Sequence, residues 1–96
     1  MRESTIEARL IRGVHRLGGL CYKFVSPGNI GVPDRIVILP GGRVIFVELK
    51  NETGKLSKMQ VWQHARLRVC GVDTRVLHSV EEVDRFLAEV RDAIYM

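Results

Sequence analysis

The chain has 96 residues, 46% of them hydrophobic and 27% charged, a balance that excludes a disordered tail and suits one globular domain spanning 1–96. Area scaling gives roughly 5,600 Å² exposed on folding, against roughly 15,800 Å² for the extended chain, enough burial for one modest core. No apolar run approaches the roughly 18 residues that would cross a bilayer, and no signal-type stretch opens the chain. Cys21 and Cys70 are too few and too far apart for a disulfide framework or a CxxC site, so a reducing, cytoplasmic location is expected. The net charge is +4, but it is unevenly spread. From Ser79 onward, five acids outweigh Arg85 and Arg91, which leaves residues 1–78 strongly basic. That asymmetry fits either a phosphate-rich partner or ordinary solubilising charge.

In chain order, Ser4 to Leu17 predicts a helix, with Ile6, Leu10, Val14 and Leu17 on one stripe and Gly18-Gly19 as its stop. A short strand is expected around Cys21 to Val25, followed by the loop from Ser26 to Pro33. The β-rich runs Arg35 to Leu39 and Arg43 to Leu49 flank Pro40-Gly41-Gly42, which is a hairpin signal. Asn51 to Lys55 reads as a polar loop, Ser57 to Val69 as a helix, and Thr74 to Leu77 as a strand. The last helix carries the stripe Val83, Phe86, Leu87, Val90 and Ile94. The expected fold is therefore α/β: a small mixed sheet flanked by helices, in the order αβββαβ plus a C-terminal helix. A parallel fourth strand would require a crossover, right-handed by the usual chirality.

Asp34, Glu48 and Lys50 most need explaining. Strand alternation puts Val44, Phe46, Glu48 and Lys50 on one face, and Ile45, Val47 and Leu49 on the other. A three-residue loop would pair Leu39 with Arg43 and bring Asp34 opposite Glu48. A two-residue turn at Gly41-Gly42 would instead send the two acids to opposite faces. Facing carboxylates roughly 5 Å apart repel by about 3 kcal/mol at an effective dielectric near 20. A divalent cation reverses that sign, and Mg²⁺ commonly takes one or two protein carboxylates, with water and substrate phosphate completing its shell. Lys50, two residues beyond Glu48, would then orient water or balance phosphoryl charge. The alternative is an ordinary sheet edge, with Asp34 in a turn and a Glu/Lys pair in solvent.

Gly31-Val32-Pro33-Asp34-Arg35, a strand, Val47-Glu48-Leu49-Lys50, then Gly54-Lys55-Leu56-Ser57 and Gln60 resemble the VRR-Nuc branch of the PD-(D/E)xK nucleases. The resemblance covers Glu7 to about Phe86 and implies a restriction-endonuclease-like fold. It also implies a Mg²⁺- or Mn²⁺-dependent phosphodiesterase acting on DNA. Stand-alone members of this size are typically phage or bacterial, and are similar to resolvases that cut four-way junctions as homodimers. Asp34 and Glu48 match the metal ligands, with the Leu49 backbone carbonyl as a further one, and Lys50 matches the catalytic lysine. Glu7 matches the first-helix acid, also a candidate ligand, and Gln60 the glutamine after the active-site strand.

Glu7 and Gln60 have a local reading as well. Ser4-Thr5-Ile6-Glu7 and Ser57-Lys58-Met59-Gln60 each fit a capping box, as does Ser79 to Glu82. Arg9, Arg12 and Arg16 on the first helix, and Lys55 and Lys58 after the active-site strand, are candidate DNA-phosphate contacts or simply solvated charge. His15, His64 and His78 lack zinc-site spacing and read as surface or packing residues, His64 also being near enough to Gln60 to face substrate. Trp62 reads as core. No G-x-S-x-G, P-loop or dinucleotide fingerprint is present. The leading expectation is a metal-dependent DNA endonuclease selective for branched DNA. The competing one is a non-catalytic DNA-binding or assembly module on the same scaffold.

Overall fold

A computed structural model describes residues 1–95; the final residue of the 1–96 domain lies outside the described residues. The elements follow the expected order: α1 (Glu3–Arg16), β1 (Leu20–Lys23), β2 (Arg35–Ile38), β3 (Val44–Leu49), α2 (Lys58–Val69), β4 (Thr74–Leu77) and α3 (Val80–Tyr95). They form one four-stranded sheet in the order β1-β2-β3-β4. The first three strands are antiparallel, while β3 and β4 run parallel. A parallel pair needs a long connection, and α2 supplies it.

Helix α1 buries Ile6, Leu10 and Val14, the expected stripe, with Leu17 just beyond its end. Helix α3 buries Val83, Phe86 and Val90. Both pack on the sheet face carrying Ile45, Val47 and Leu49, forming a single hydrophobic cluster. Full burial of each such side chain contributes about 1.5–3 kcal/mol. The accessible surface, 5923 Å², lies close to the roughly 5,600 Å² expected for a folded chain of this mass. At the far end of β4, Arg75 joins Asp73 at 2.6 Å and Glu89 of α3 at 2.7 Å, tying helix to strand edge.

The hairpin takes the odd-loop register. Leu39 N–H donates to the Arg43 carbonyl at 2.9 Å, and Gly42 N–H to the Leu39 carbonyl at 3.0 Å. Gly41 and Gly42 both sit at φ near +90°, where a Cβ is strained. Arg35 pairs with Val47, and Ile38 with Val44. One step beyond Arg35 and Val47, Asp34 falls opposite Glu48.

Helix α2 covers the other face of the sheet. His64 is its one buried residue, and it sits against Glu48. Ser57 caps the helix, accepting from Gln60 N–H at 3.1 Å, while Gln60 Oε1 accepts from Ser57 N–H at 2.9 Å. The structure overturns two local expectations. Trp62 is half-exposed, not core: residues two apart lie about 200° apart around a helix, and Gln60 and His64 take the inward side. The Ser4–Glu7 capping box does not form, because α1 already starts at Glu3, with Arg2 as an N-cap that makes no side-chain bond.

Candidate active site

The site lies where the hairpin, the loop before β2 and the first turns of α2 meet. Asp34 follows Gly31-Val32-Pro33. Gly31 has φ +98°, and a Cβ built on it would stand 2.6 Å from the Met59 carbonyl oxygen. The chain before Asp34 therefore lies directly against the turn of α2 that carries Gln60, at an approach only glycine permits. Asp34 itself is held by the hairpin, its Oδ2 accepting from Leu49 N–H at 3.4 Å.

Glu48 is 1% exposed, unusual for a carboxylate without a full ion pair. Its Oε2 accepts from Gln60 Nε2 at 3.3 Å and lies 3.9 Å from Lys50 Nζ. Its Oε1 is buried without a hydrogen-bond partner. Burial, then a hydrogen bond with Asp34 and the repulsion of its charge, push the Glu48 carboxyl up to about 8, against the opposing pull of Lys50. The two acids that the register brings together thus resist being charged together. Beneath them, His64 is fully buried with both ring nitrogens unpartnered, its Nε2 3.8 Å from Glu48 Oε1. Burial, with Arg68 next, holds this imidazole below its ordinary value.

Asp34, Glu48, Lys50 and Gln60 are brought together as expected, and Gln60 serves both readings, its Oε1 capping α2 and its Nε2 holding Glu48. Leu49 sends its side chain into the core, while its backbone N–H meets Asp34. The structure directs Glu7 elsewhere, its Oε2 pairing with Arg35 Nε at 3.1 Å. The first-helix acid whose charge bears on Glu48 is Glu3. Arg9 is committed to Asp84 of α3 by two contacts of 2.8 Å. Arg12 and Arg16 line, with Arg9, a cavity of about 200 Å³ between α1 and α3, on the helical layer away from α2. Lys55 and Lys58 are exposed beside the start of α2 and form no ion pair among the described residues. Sequence reasoning missed Glu3, and it set His64 near Gln60 as a surface or packing residue without placing it against Glu48. The spacing of four from Gln60 to His64 was the available signal, since it puts both on one helix face.

The donor set fits a small, hard divalent cation. It offers two facing carboxylates whose mutual repulsion a cation would offset, with a lysine at their margin. Among the described residues no group of three or more His, Cys, Asp and Glu side chains is arranged to hold a metal ion. An ion bound here would complete its shell from backbone carbonyl, water and substrate oxygens, as Mg²⁺ commonly does.

No protein-family model matches the chain. It is 49% identical over 79 residues to the protein described as "Putative nuclease p44" of Acyrthosiphon pisum secondary endosymbiont phage 1, covering 82% of this chain and 85% of that protein. A solved structure described as "VRR_NUC domain" superposes with a TM-score of 0.85 at 34% identity, over 90% of this chain and 94% of the other. With the GVPD turn, the ExK strand and the capping glutamine all converging on one buried carboxylate, this chain belongs to the VRR-Nuc family.

Proposed function

We propose that this chain is a nuclease that hydrolyses phosphodiester bonds in DNA with Mg²⁺ or Mn²⁺ held by Asp34 and Glu48, cutting four-way junctions or other branched DNA. The observation that carries the reading is the buried Glu48 carboxyl, set opposite Asp34 and beside Lys50. A fold gains no stability from burying two opposed acids, so the pair makes sense as a ligand set.

Each residue then has a distinct task. Asp34 and Glu48 hold the cation, with the Leu49 carbonyl as a further oxygen. Bound there, the ion would supply positive charge to the phosphodiester oxygens and make nearby water more acidic. Gln60 fixes the Glu48 carboxylate through Nε2 while its own orientation is locked by the cap at Ser57. Lys50, one-fifth exposed at the margin of the site, orients the attacking water and balances the charge that develops on the phosphoryl group. Glu7 joins this set only by releasing Arg35. Lys55 and Lys58, free of ion pairs among the described residues, contact DNA phosphates, which fix register without reading sequence. No helix among the described residues is long and apolar enough to cross a membrane. We assign the activity to the bacterial cytoplasm, a setting supported by the phage origin of the p44 relative.

A domain of this size covers little DNA, and a junction offers two equivalent strands. We therefore assign a homodimer, with the outer face of α2 as the contact. There Val61, Trp62 and Val69 are exposed, beside a shallow cavity lined by Trp62, Ala65, Arg66, Val69 and Cys70. A second copy presents the same apolar strip in return, as a two-fold contact requires.

The test is cleavage of a labelled four-way junction and a matched linear duplex with Mg²⁺, Mn²⁺ or EDTA. Asp34→Asn and Lys50→Met variants serve as controls for a contaminating nuclease. Symmetric, metal-dependent junction cuts absent from both variants are the expected result. Equal cutting of the duplex removes the preference for branches, while binding without cutting in any metal gives the non-catalytic module instead.

A further inference from the structure

His64 is a buried polar group with nothing to do in the metal-free fold. It is 0% exposed, neither ring nitrogen has a hydrogen-bond partner, and the polar atom facing Nε2 is the equally unpartnered Glu48 Oε1 at 3.8 Å. Buried polar groups are nearly always bonded, and each orphan costs stability. Two of the three orphan atoms, Nε2 and Oε1, face each other in a contact that is almost made, about 0.8 Å too long for an N–H···O bond of ordinary length. The gap is small enough for a side-chain adjustment to close, and too small for a water to occupy.

We propose that His64 is a positioning residue for Glu48: its Nε2–H donates to Oε1 when the site is loaded, fixing the plane of the carboxylate so that Oε2 is presented beside Asp34. The inference rests on the metal-site reading above. Gln60 and His64 stand one helical turn apart on α2 and address different oxygens of the same carboxyl group, Oε2 and Oε1 respectively. Two donors on a rigid helix restrain the rotation that one donor leaves free. Such outer partners typically govern metal affinity by ten- to a hundredfold.

The experiment uses the full chain and Mn²⁺ alone, with binding followed by electron paramagnetic resonance and fold stability by urea titration. His64→Leu is expected to fold as stably as the native protein or more so, since two orphan nitrogens disappear, yet to bind Mn²⁺ about ten- to a hundredfold more weakly. His64→Gln, whose Nε2 reaches about as far as the native one, should recover affinity to within about threefold, whereas the shorter His64→Asn should not. The Gln/Asn comparison stands on its own should His64→Leu fail to fold. Unchanged Mn²⁺ affinity in His64→Leu, or equal affinity in the Gln and Asn variants, overturns the proposal while leaving the metal site intact. If the native protein binds no Mn²⁺, the metal reading fails instead. In that case the inference, which rests on a loaded site, falls with it.

Discussion

Glu48→Gln should stabilise the metal-free protein in alkaline solution while removing its capacity to bind a divalent cation. The glutamine is close in shape to the protonated acid, keeps an oxygen for Gln60 Nε2, and never ionises. In the native fold the Glu48 carboxyl titrates at about 8 rather than 4.5, because burial and Asp34 both disfavour its charge. The folded state therefore holds a proton that the unfolded chain has already released across this window, so stability falls as pH rises from about 4.5 to about 8 and is level beyond. At about 1.4 kcal/mol per pH unit the loss approaches about 5 kcal/mol, and relaxation around the charge makes about 3–5 kcal/mol the expected range. That is a large share of the roughly 5–15 kcal/mol a domain commands. Urea unfolding of both proteins in EDTA at pH 5 and pH 9 measures it. The variant should match the native protein at pH 5 and exceed it by that amount at pH 9. Saturating Mg²⁺ should restore the native protein at pH 9 and leave the variant unchanged. Parallel pH profiles for the two proteins would mean that Glu48 is an ordinary solvated acid.

Three further outcomes follow from the geometry. Lys50→Met should abolish cleavage while Mn²⁺ binding survives, as electron paramagnetic resonance would register; loss of Mn²⁺ binding as well would make Lys50 part of the binding site. Gly31→Ala should cost about 2–4 kcal/mol in urea unfolding, because its Cβ meets the Met59 carbonyl and its φ of +98° is unfavourable; a neutral result would mean the loop and α2 are not docked as described. Trp62→Glu should convert a dimer to a monomer in light scattering with the far-UV spectrum intact, and a native protein that is monomeric at all concentrations would remove the α2 contact.

The fold was legible where one physical signal dominated. The stripes of α1 and α3 face a single hydrophobic cluster, so helical periodicity alone identified them. The hairpin register depended on the loop length: a two-residue turn stayed open in the sequence, and the three-residue loop of the structure sets Asp34 opposite Glu48. Helix α2 was legible as an element but not in its facing. Its inward side carries Gln60 and His64 and its outward side carries Trp62, reversing the usual rule that the apolar side of a helix is the buried one. That reversal is itself a mark of the site, since Glu48 on the sheet needs polar neighbours above it. The pairing of Glu7 with Arg35, and of Arg9 with Asp84, was beyond reach because it depends on long-range side-chain geometry between elements. Resemblance gave Glu7 an expected place among the ligands, whereas its partner in the structure is Arg35.

The central claim is that Asp34 and Glu48 share one divalent cation. Crystals of the protein soaked in Mn²⁺, with anomalous diffraction collected near the manganese edge, test it most directly. An anomalous peak is expected about 2.0–2.3 Å from an oxygen of each carboxylate, in line with the bond lengths of small hard cations. A peak held by other residues, or none in crystals that diffract well and contain the ion in their solvent, would contradict it.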